Sequence, residues 1–443
     1  MYDHTDLAAL QARSLRMQGW IRKQTFSPEN TKTLRRFSSW EVAELIFNVN
    51  QSTFRGKLAA DPSLPGGEVE ADGRQRWFSL DEINEMRRRM KFSRKSLLPH
   101  RPAGKRAVRA AVANFKGGAG KSTVALHFAH AAALDGYRVL AVDFDPQATL
   151  SHSMGLTDVS EDRTVWGVMA RDLVRETDRM NAAPRGAASG RGAPLRSLPG
   201  AIRDLGLAEL RTADFIHPTA WPTIDIIPSC ANAAFVEFAS AQYRHLNPEW
   251  SFFACVARYL DAIPDDAYDL IVFDCPPAIG YQSMNAVFAA DMLYIPSGPG
   301  YWEYDSTTSF IGQLSEALAD LSEGFADFPT GKVSLPKAFQ DVRFLMTRFE
   351  PGHELHVAMF DAFRDVFGDH MAAHPVELTR AVEQSGRFLC SVYEIDYREM
   401  TRETWKRARR SFDRAYEEFR ASVHKAWDGL PDAAAETAGE DAA

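Results

Sequence analysis

The spacing of apolar and polar positions divides the chain into two regions. Beyond residue 107, strand-like apolar runs at 108–115, 138–142 and 269–273 alternate with segments of helical periodicity. This alternation is typical of a parallel α/β architecture, and it continues to about residue 427. Before residue 96 the apolar runs are shorter and turn residues interrupt them. We therefore predict an α/β domain with a mostly parallel sheet behind a small N-terminal unit.

Shifts in composition set the expected boundaries. Two prolines and a glycine among basic residues indicate a linker between the two regions. A stretch rich in Gly, Ala, Pro and Ser indicates a flexible insertion, and an acidic low-complexity segment indicates a disordered tail. The predicted organisation is a helical arm at 1–30, a small domain at 31–95, a linker at 96–106, an α/β domain at 107–427 with the insertion at about 181–200, and the tail at 428–443.

The composition excludes several classes of protein. The chain has 443 residues, of which 45% are hydrophobic, so it is long and apolar enough for two or three packed domains and is neither disordered nor fibrous. Its four cysteines, Cys230, Cys255, Cys275 and Cys390, are too scattered for a disulfide framework or a CxxC metal site. The sequence contains no apolar run near the roughly 18 to 20 residues that span a bilayer. We therefore expect a cytoplasmic protein without a membrane partner.

The net charge of −8 conceals an asymmetry between the two ends of the chain. Residues 1–110 contain 21 Lys and Arg against 12 Asp and Glu, a net charge of +9, and the remainder carries −17. A basic segment on an acidic body predicts an anionic partner, with nucleic acid as the first candidate. A solvated basic surface is the alternative that charge alone leaves open.

A glycine-rich loop is the most specific chemical motif. It follows the apolar run 108–115 and opens a helical stretch at 123–134, which is the context that a phosphate cradle requires. Glycines let backbone N–H groups approach phosphates, Lys121 supplies positive charge, and the Ser122 hydroxyl is a ligand for Mg²⁺. The predicted nucleotide-binding residues are Lys116, Gly117, Gly118, Ala119, Gly120, Lys121, Ser122 and Thr123.

Two further strands end in carboxylates. The run 138–142 leads into Asp143 and Asp145, and the run 269–273 leads into Asp274. In an open α/β sheet, residues at the carboxyl ends of parallel strands gather in the crevice where the ligand binds. We therefore expect these three carboxylates beside the glycine-rich loop.

Lys116 extends the loop to the form KGGxGK[ST], which resembles the deviant Walker A motif of the ParA and MinD class of P-loop ATPases. The resemblance implies ATP and Mg²⁺ as cofactors and a nucleotide-sandwich homodimer, across which Lys116 reaches the other subunit's phosphates. It implies that Lys121 is catalytic with Lys116, and that Asp145 positions the attacking water. It also assigns Mg²⁺ to Ser122, Asp145 and Asp274, and switch or supporting roles to Asp143, Pro146, Gln147, Pro276 and Pro277.

The small N-terminal domain has the order of elements of a DNA-binding unit. A helix capped by Ser38 or Ser39, a short turn and a second helix at 51–58 precede a predicted hairpin and a third helix at 80–90. The order resembles the winged helix-turn-helix of MerR-like regulators. The expected DNA-binding residues are Gln51, Ser52, Thr53, Arg55 and Lys57 on the second helix and Arg74 and Arg76 on the hairpin.

Two alternatives accompany this interpretation. The alternative for the small domain is a helical module that docks another protein. Basic side chains at Arg35, Arg36 and Arg87–Arg89 are equally compatible with a solvated surface.

The two domains together resemble the larger plasmid ParA proteins, particularly the RepA partition proteins of repABC replicons. The resemblance implies a nucleoid-associated dimer that binds DNA without sequence preference in its ATP state. It implies weak ATP hydrolysis that a ParB-like or RepB-like partner stimulates, and autorepression through operator DNA bound by the N-terminal domain. Arg380, Lys406, Arg407, Arg409 and Arg410 are candidates for the non-specific DNA contact, with an ordinary amphipathic helix surface as the alternative.

Three further functions compete with this prediction. A nucleotide-gated repressor without a transport role needs the same motifs. A MinD-type membrane ATPase is disfavoured because the tail is acidic and lacks a basic amphipathic helix. An iron-protein-like reductase is disfavoured because we interpret the cysteines as ordinary small residues.

Overall fold

The computed structural model describes residues 4–25, 32–71, 73, 75–92, 96–182, 202, 206–246, 250–325 and 335–431. Most of the predicted insertion, most of the predicted tail and Arg74 lie outside these residues. Within the described part of the chain, no helix combines the length and the apolar character needed to cross a bilayer.

The N-terminal unit, residues 32–92, contains the predicted helices and hairpin. Ser38 begins the first helix, because its hydroxyl lies 2.9 Å from Glu41 Oε2 and accepts the Glu41 N–H at 3.3 Å. A three-stranded antiparallel sheet has the order β1-β3-β2, in which β2 and β3 form the hairpin. Helix α1 (His4–Thr25) precedes this unit, whose elements are β1 (Phe37–Ser38), a π-helix (Glu41–Ile46), α2 (Gln51–Ala60), β2 (Glu68–Val69), β3 (Arg76–Phe78) and α3 (Leu80–Arg89).

The α/β domain is built on a seven-stranded sheet of order β10-β9-β4-β8-β5-β7-β6. All neighbouring strands are parallel except the short pair β6 and β7. The mostly parallel α/β fold is therefore confirmed. The strands are β4 (Val108–Val112), β5 (Val139–Asp143), β6 (His217–Pro218), β7 (Ile224–Ile227), β8 (Leu270–Asp274), β9 (Met292–Ser297) and β10 (Asp341–Met346).

Helices cover both faces of this sheet. On one face α4 and α13 pack together, with the rings of Phe128 and Phe419 stacked 4.5 Å apart. On the other face α6, α8, α9 and α10 enclose a second core. The helices are α4 (Lys121–Asp135), α5 (Thr149–Ser153), α6 (Val165–Ala182), α7 (Phe235–Leu246), α8 (Cys255–Leu260), α9 (Tyr281–Ala289), α10 (Tyr301–Gly324), α11 (Glu354–Phe367), α12 (Arg380–Arg387) and α13 (Arg402–Gly429).

The N-terminal unit shares the core of α4 and α13. Its buried residues Phe54, Ile83 and Met86 belong to the same continuous apolar cluster as Phe128 and Phe419. The predicted linker also lies against the α/β domain, since Arg106 pairs with Asp291 at 2.8 Å. The two units therefore form one packed body within the described residues.

Arg87 corrects the prediction of a solvated basic surface on α3. Its side chain is buried and donates to the carbonyls of Leu97, at 2.9 Å, and Leu134. The guanidinium lies against Gly136, which ends α4 with a φ of 94°. A Cβ at Gly136 would lie 2.6 Å from Arg87 Nε, so this position requires glycine for both its conformation and the close approach. Arg87 therefore joins α3 to the end of α4.

Arg409 corrects a second prediction, because this candidate DNA contact is buried with 2% of its surface exposed. Its guanidinium lies 3.4 Å from Asp413 and 3.9 Å from Glu41. Glu41 itself is fully buried and pairs with Arg35 at 2.7 Å. Burial alone raises the pKa of Glu41, but Arg35 and Arg409 outweigh it and hold the pKa below its ordinary value. An ion-pair cluster therefore joins the N-terminal unit to α13.

Replacing Glu41 by Gln is expected to lower the free energy of unfolding by about 3 kcal/mol at pH 7, because Arg35 loses its buried counter-charge and Arg409 keeps only Asp413. Urea unfolding followed by circular dichroism measures this loss. Glu44→Gln is the matched control, since Glu44 is exposed on the same helix and should change the free energy by less than about 0.5 kcal/mol. The lowered pKa of Glu41 means that its contribution is present above about pH 4.5 and is lost as the pH falls further. Equal stability of the two variants at pH 7 would contradict this role.

Candidate functional site

The glycine-rich loop connects the end of β4 to the start of α4, at the carboxyl edge of the sheet. Gly118 and Gly120 have φ angles of 77° and 87°, which favour glycine. Gly120 is the residue before a helix of 15 residues, so the first N–H groups of α4 face the loop. This arrangement forms an anion cradle in the place that the sequence predicts.

Lys121 is the first residue of α4 and its side chain is buried. Its ammonium group donates to the Lys116 carbonyl at 3.2 Å, so it lies under the loop. Burial lowers the pKa of Lys121, and the negative charges of Asp274 and Asp145 oppose that shift. The charges of Lys121, Asp274 and Asp145 therefore act on one another at this edge of the sheet.

Asp143 and Asp274 lie side by side at the ends of β5 and β8, where the two residues pair in register. Asp143 accepts hydrogen bonds from the Ser151 N–H at 2.8 Å, from the Ser151 hydroxyl at 2.7 Å and from the Asp145 N–H at 3.0 Å. Burial nevertheless raises the pKa of Asp143 to about 7. Asp143 therefore holds the loop that carries Asp145, which is the supporting position expected for it.

Asp274 differs from Asp143 because neither of its buried carboxylate oxygens has a hydrogen-bond partner among the described residues. Burial, followed by repulsion from Asp143, raises its pKa well above the ordinary value, and the nearby Ser122 hydroxyl and, to a smaller degree, Lys121 oppose that shift. A buried carboxylate without a partner is costly, and a divalent cation with oxygen ligands removes that cost. Asp274 and the neighbouring Ser122 hydroxyl therefore fit Mg²⁺. No cluster of three or more His, Cys, Asp or Glu side chains suited to a metal occurs in the described chain, so phosphates and water would complete the coordination.

The remaining predicted site residues lie in the two loops that follow β5 and β8. Asp145 is half-buried and accepts the Gln147 N–H at 2.9 Å. Pro146 and Gln147 follow it in the first loop, and Pro276 and Pro277 lie in the second, with Gln147 and Pro277 exposed. Both of these loops therefore lie at the same edge of the sheet as the glycine-rich loop.

Lys116 stands apart from the buried lysine. Its backbone N–H is 3.4 Å from Asn114 Oδ1 and its carbonyl binds Lys121, but its half-exposed ammonium group makes no hydrogen bond or ion pair with the described part of the chain. Because this amine has no partner among the described residues, it is available to a ligand or to a second subunit.

Two supporting residues were missed by sequence reasoning. The Asn114 amide donates to the Pro296 carbonyl at 2.8 Å and to the Thr307 hydroxyl at 3.0 Å. The Thr347 hydroxyl donates to the Ala119 carbonyl at 2.8 Å. These contacts clamp the glycine-rich loop from β9, α10 and β10. In the sequence, the only signal for a supporting role was the position of Asn114 between the end of β4 and the glycine-rich loop.

Six of the seven predicted DNA-binding residues lie on α2 and β3 of the N-terminal unit, and the seventh, Arg74, lies outside the described residues. Ser52, Thr53, Arg55 and Lys57 are exposed on α2, and Gln51 is half-buried because its amide donates to Glu44 at 2.6 Å. Arg76 is exposed on β3. The C-terminal candidates Arg380, Lys406, Arg407 and Arg410 reach the surface, although Arg407 pairs with Glu377 at 2.6 Å.

Comparison with known proteins identifies the relatives of this chain. The family described as "AAA domain" matches residues 108–323. A protein described as putative replication protein A from Sinorhizobium fredii is 30% identical over 414 residues, which cover 91% of this chain and 90% of that protein. Protein SopA from Escherichia coli is 26% identical and covers 86% of this chain and 87% of its own length. A solved structure described as "Partition Protein" shares the fold with a TM-score of 0.57 at 16% identity, over 94% of this chain and 99% of that one. The chain therefore belongs to the ParA family of P-loop partition ATPases, among relatives described as putative replication protein A.

Proposed function

We propose that this protein is an ATP-dependent DNA-partition protein that binds ATP and Mg²⁺ between the glycine-rich loop and the carboxylates of β5 and β8. The observation that carries the proposal is that a buried lysine, Lys121, and a buried carboxylate without a hydrogen-bond partner among the described residues, Asp274, influence each other electrostatically at the carboxyl edge of the sheet. A nucleoside triphosphate with a divalent cation supplies the opposite charge to each of these groups.

Each residue has a distinct role in this proposal. The loop residues Lys116–Thr123 bind the phosphates through backbone N–H groups, and Lys121 neutralises phosphate charge. Ser122, Asp145 and Asp274 would hold Mg²⁺, which supplies further charge neutralisation when it is bound. Asp145 orients the attacking water, and Asp143 fixes the loop of Asp145 through Ser151. Pro146, Gln147, Pro276 and Pro277 shape the two switch loops.

Lys116 makes the site depend on a second copy of the chain. Its ammonium group has no partner in its own subunit among the described residues, which supports a contact with the nucleotide of a second subunit. We propose that ATP closes a homodimer in this way, and that hydrolysis is weak until a ParB-like or RepB-like protein stimulates it. The dimer would bind non-specific DNA on the nucleoid, and the N-terminal unit would bind operator DNA to repress its own operon.

The nucleotide dependence of DNA binding tests this proposal. Full-length protein should bind a random-sequence duplex in ATP with Mg²⁺ at least tenfold more tightly than in ADP or without nucleotide, because only ATP closes the dimer. Fluorescence anisotropy with a labelled duplex measures the affinity. Arg55→Ala and Arg76→Ala variants serve as controls, since they alter the N-terminal unit alone and should retain the ATP effect. Equal affinity in all three nucleotide states would contradict the transport function.

A nucleotide-gated repressor without transport is the second candidate, and one chain of contacts favours it. The imidazole of His127 on α4 stacks on Phe412 at 3.6 Å and accepts the Val392 N–H at 3.1 Å. The next residue, Tyr393, accepts from Arg35 of the N-terminal unit at 2.9 Å. Movement of α4 on nucleotide binding would therefore reach the N-terminal unit directly. Normal plasmid inheritance with lost repression in a Lys121→Ala strain would select this candidate over partition.

A further inference from the structure

A cleft of about 730 Å³ opens between the N-terminal unit and the segment that begins α13. Arg55 of α2, Arg76 of β3 and Arg402 of α13 line it, and none of its described lining residues is acidic. Three guanidinium groups around one open cleft create a positive potential that suits an anionic ligand. Arg55 and Arg76 belong to the predicted DNA-binding set, whereas Arg402 comes from the α/β domain and was not predicted.

Arg402 is positioned and available. Its guanidinium lies 4.2 Å from the ring centre of Trp40 and 5.7 Å from that of Tyr397. Among the described residues it has no ion pair or hydrogen bond, and it is exposed. Stacking on an aromatic face uses one side of the guanidinium plane and leaves its N–H edge free to bind a phosphate.

The nearby carboxylate does not compete for this arginine. Glu44 is close enough for the charge of Arg402 to contribute to the lowering of its pKa, a shift caused mainly by the hydrogen bond from Gln51. Its two oxygens accept from Gln51 at 2.6 Å and from the Trp40 ring N–H at 2.7 Å. Among the described residues Glu44 therefore makes no ion pair with Arg402, and the N–H edge of the guanidinium is not taken by this carboxylate.

Other contacts fix Arg402 relative to the hairpin. The Gln75 amide lies 3.1 Å from the Tyr397 hydroxyl. Arg398 pairs with Glu70 at 3.0 Å and lies 4.5 Å from the ring centre of Trp77. These contacts tie the segment 397–402 to the hairpin. A ligand that spans α2 and the hairpin would therefore meet Arg402 in a defined place.

We propose that Arg402 binds a backbone phosphate of the same DNA duplex that α2 and the hairpin contact. The inference rests on the DNA binding proposed above for the N-terminal unit, and it adds a contact from the α/β domain. Duplex DNA is the occupant because the cleft is open and positively charged, and because it runs between the two elements that carry the other DNA-binding candidates. Operator affinity then depends on how the N-terminal unit is docked on the α/β domain.

The test measures binding of full-length protein to a duplex carrying the DNA upstream of its own gene. ADP is present, so that the proposed ATP-dependent dimer does not contribute. Arg402→Ala should weaken binding roughly tenfold and reduce the slope of log affinity against log salt by about 0.9, as expected for one lost phosphate contact. Arg402→Lys should retain the salt slope because it retains the charge. Arg364→Ala is the matched control, since Arg364 is an exposed arginine near an aromatic ring, lies outside the cleft lining and should leave binding unchanged.

The outcomes separate this inference from the proposed function. If Arg402→Ala binds like wild type while Arg76→Ala loses affinity, the Arg402 contact is wrong and DNA binding by the N-terminal unit stands. If Arg402→Ala loses affinity with an unchanged salt slope, Arg402 acts only by packing on Trp40 and the phosphate contact is wrong. If wild-type protein does not bind the duplex, operator binding fails and the inference fails with it.

Discussion

Lys121→Ala should reduce ATP affinity by at least about 100-fold, which is the largest effect expected from a single substitution in this protein. The ammonium group of Lys121 lies buried under the glycine-rich loop, where a phosphate charge is poorly screened by water. Its removal also leaves Asp274 and Asp145 without the positive charge that faces them. Isothermal titration with ATP and Mg²⁺ measures the loss directly.

Thermal unfolding provides an independent readout for Lys121→Ala. Ligand at 100 times its dissociation constant stabilises a protein by about 2.7 kcal/mol, so wild type should show a clear ATP-dependent rise in Tm and the variant none. Lys425→Ala is the control. Lys425 is an exposed lysine on α13, outside the glycine-rich loop, and it pairs with Asp341 of β10 at 3.6 Å. A variant that folds without nucleotide and keeps the full ATP-dependent shift would remove Lys121 from the site.

Lys116→Ala should keep ATP affinity within a few-fold of wild type and lower partner-stimulated hydrolysis by roughly 1,000-fold. The basis is that the Lys116 ammonium group is not engaged within the described part of its own subunit, so it adds little to binding by one subunit. A positive charge supplied across a dimer stabilises the transition state of phosphoryl transfer by factors of this order. Sedimentation in ATP should find the variant monomeric, and a phosphate-release assay should give the rate.

Asp145→Ala is the contrasting variant for Lys116. It should also lose hydrolysis, but it retains both lysines and should accumulate as an ATP-bound dimer. The two variants therefore separate dimer closure from water activation. Normal hydrolysis by Lys116→Ala would exclude the sandwich-dimer mechanism, and a monomeric Asp145→Ala protein in ATP would place Asp145 in dimer closure instead.

Several features of the fold and site follow from local sequence. The glycine-rich loop is a contiguous segment whose conformation depends on Gly118 and Gly120, so its place between a strand and a helix is visible in the sequence. Asp143 and Asp274 end apolar strands, and parallel strands place their carboxyl ends at one edge. The three helices and the hairpin of the N-terminal unit likewise follow from capping residues and glycines near one another in the chain. The sequence therefore predicted the fold class, and it predicted that the three carboxylates lie beside the glycine-rich loop.

Tertiary structure decided which charged side chains are buried and which are exposed. Arg87 and Arg409 look like solvated basic residues in the sequence, yet both are buried by elements far away in the chain. Arg87 meets the end of α4, and Arg409 meets Glu41, so neither burial can be predicted from neighbouring residues. Hydrophobic periodicity shows that a helix has a buried face, but it does not show which distant carboxylate or carbonyl will satisfy an arginine on that face.

By itself, the sequence determined the chemistry of the phosphate loop, the alternation of strands and helices along the chain and the elements of the N-terminal unit, because each depends on residues within a few positions of one another. Only the tertiary structure decided that the N-terminal unit shares a core with α4 and α13, that Asn114 and Thr347 clamp the loop, and that Arg402 joins the cleft beside α2. These features need contacts between segments that are far apart in the chain. Such contacts are selected by the packing of the whole chain and leave no local pattern.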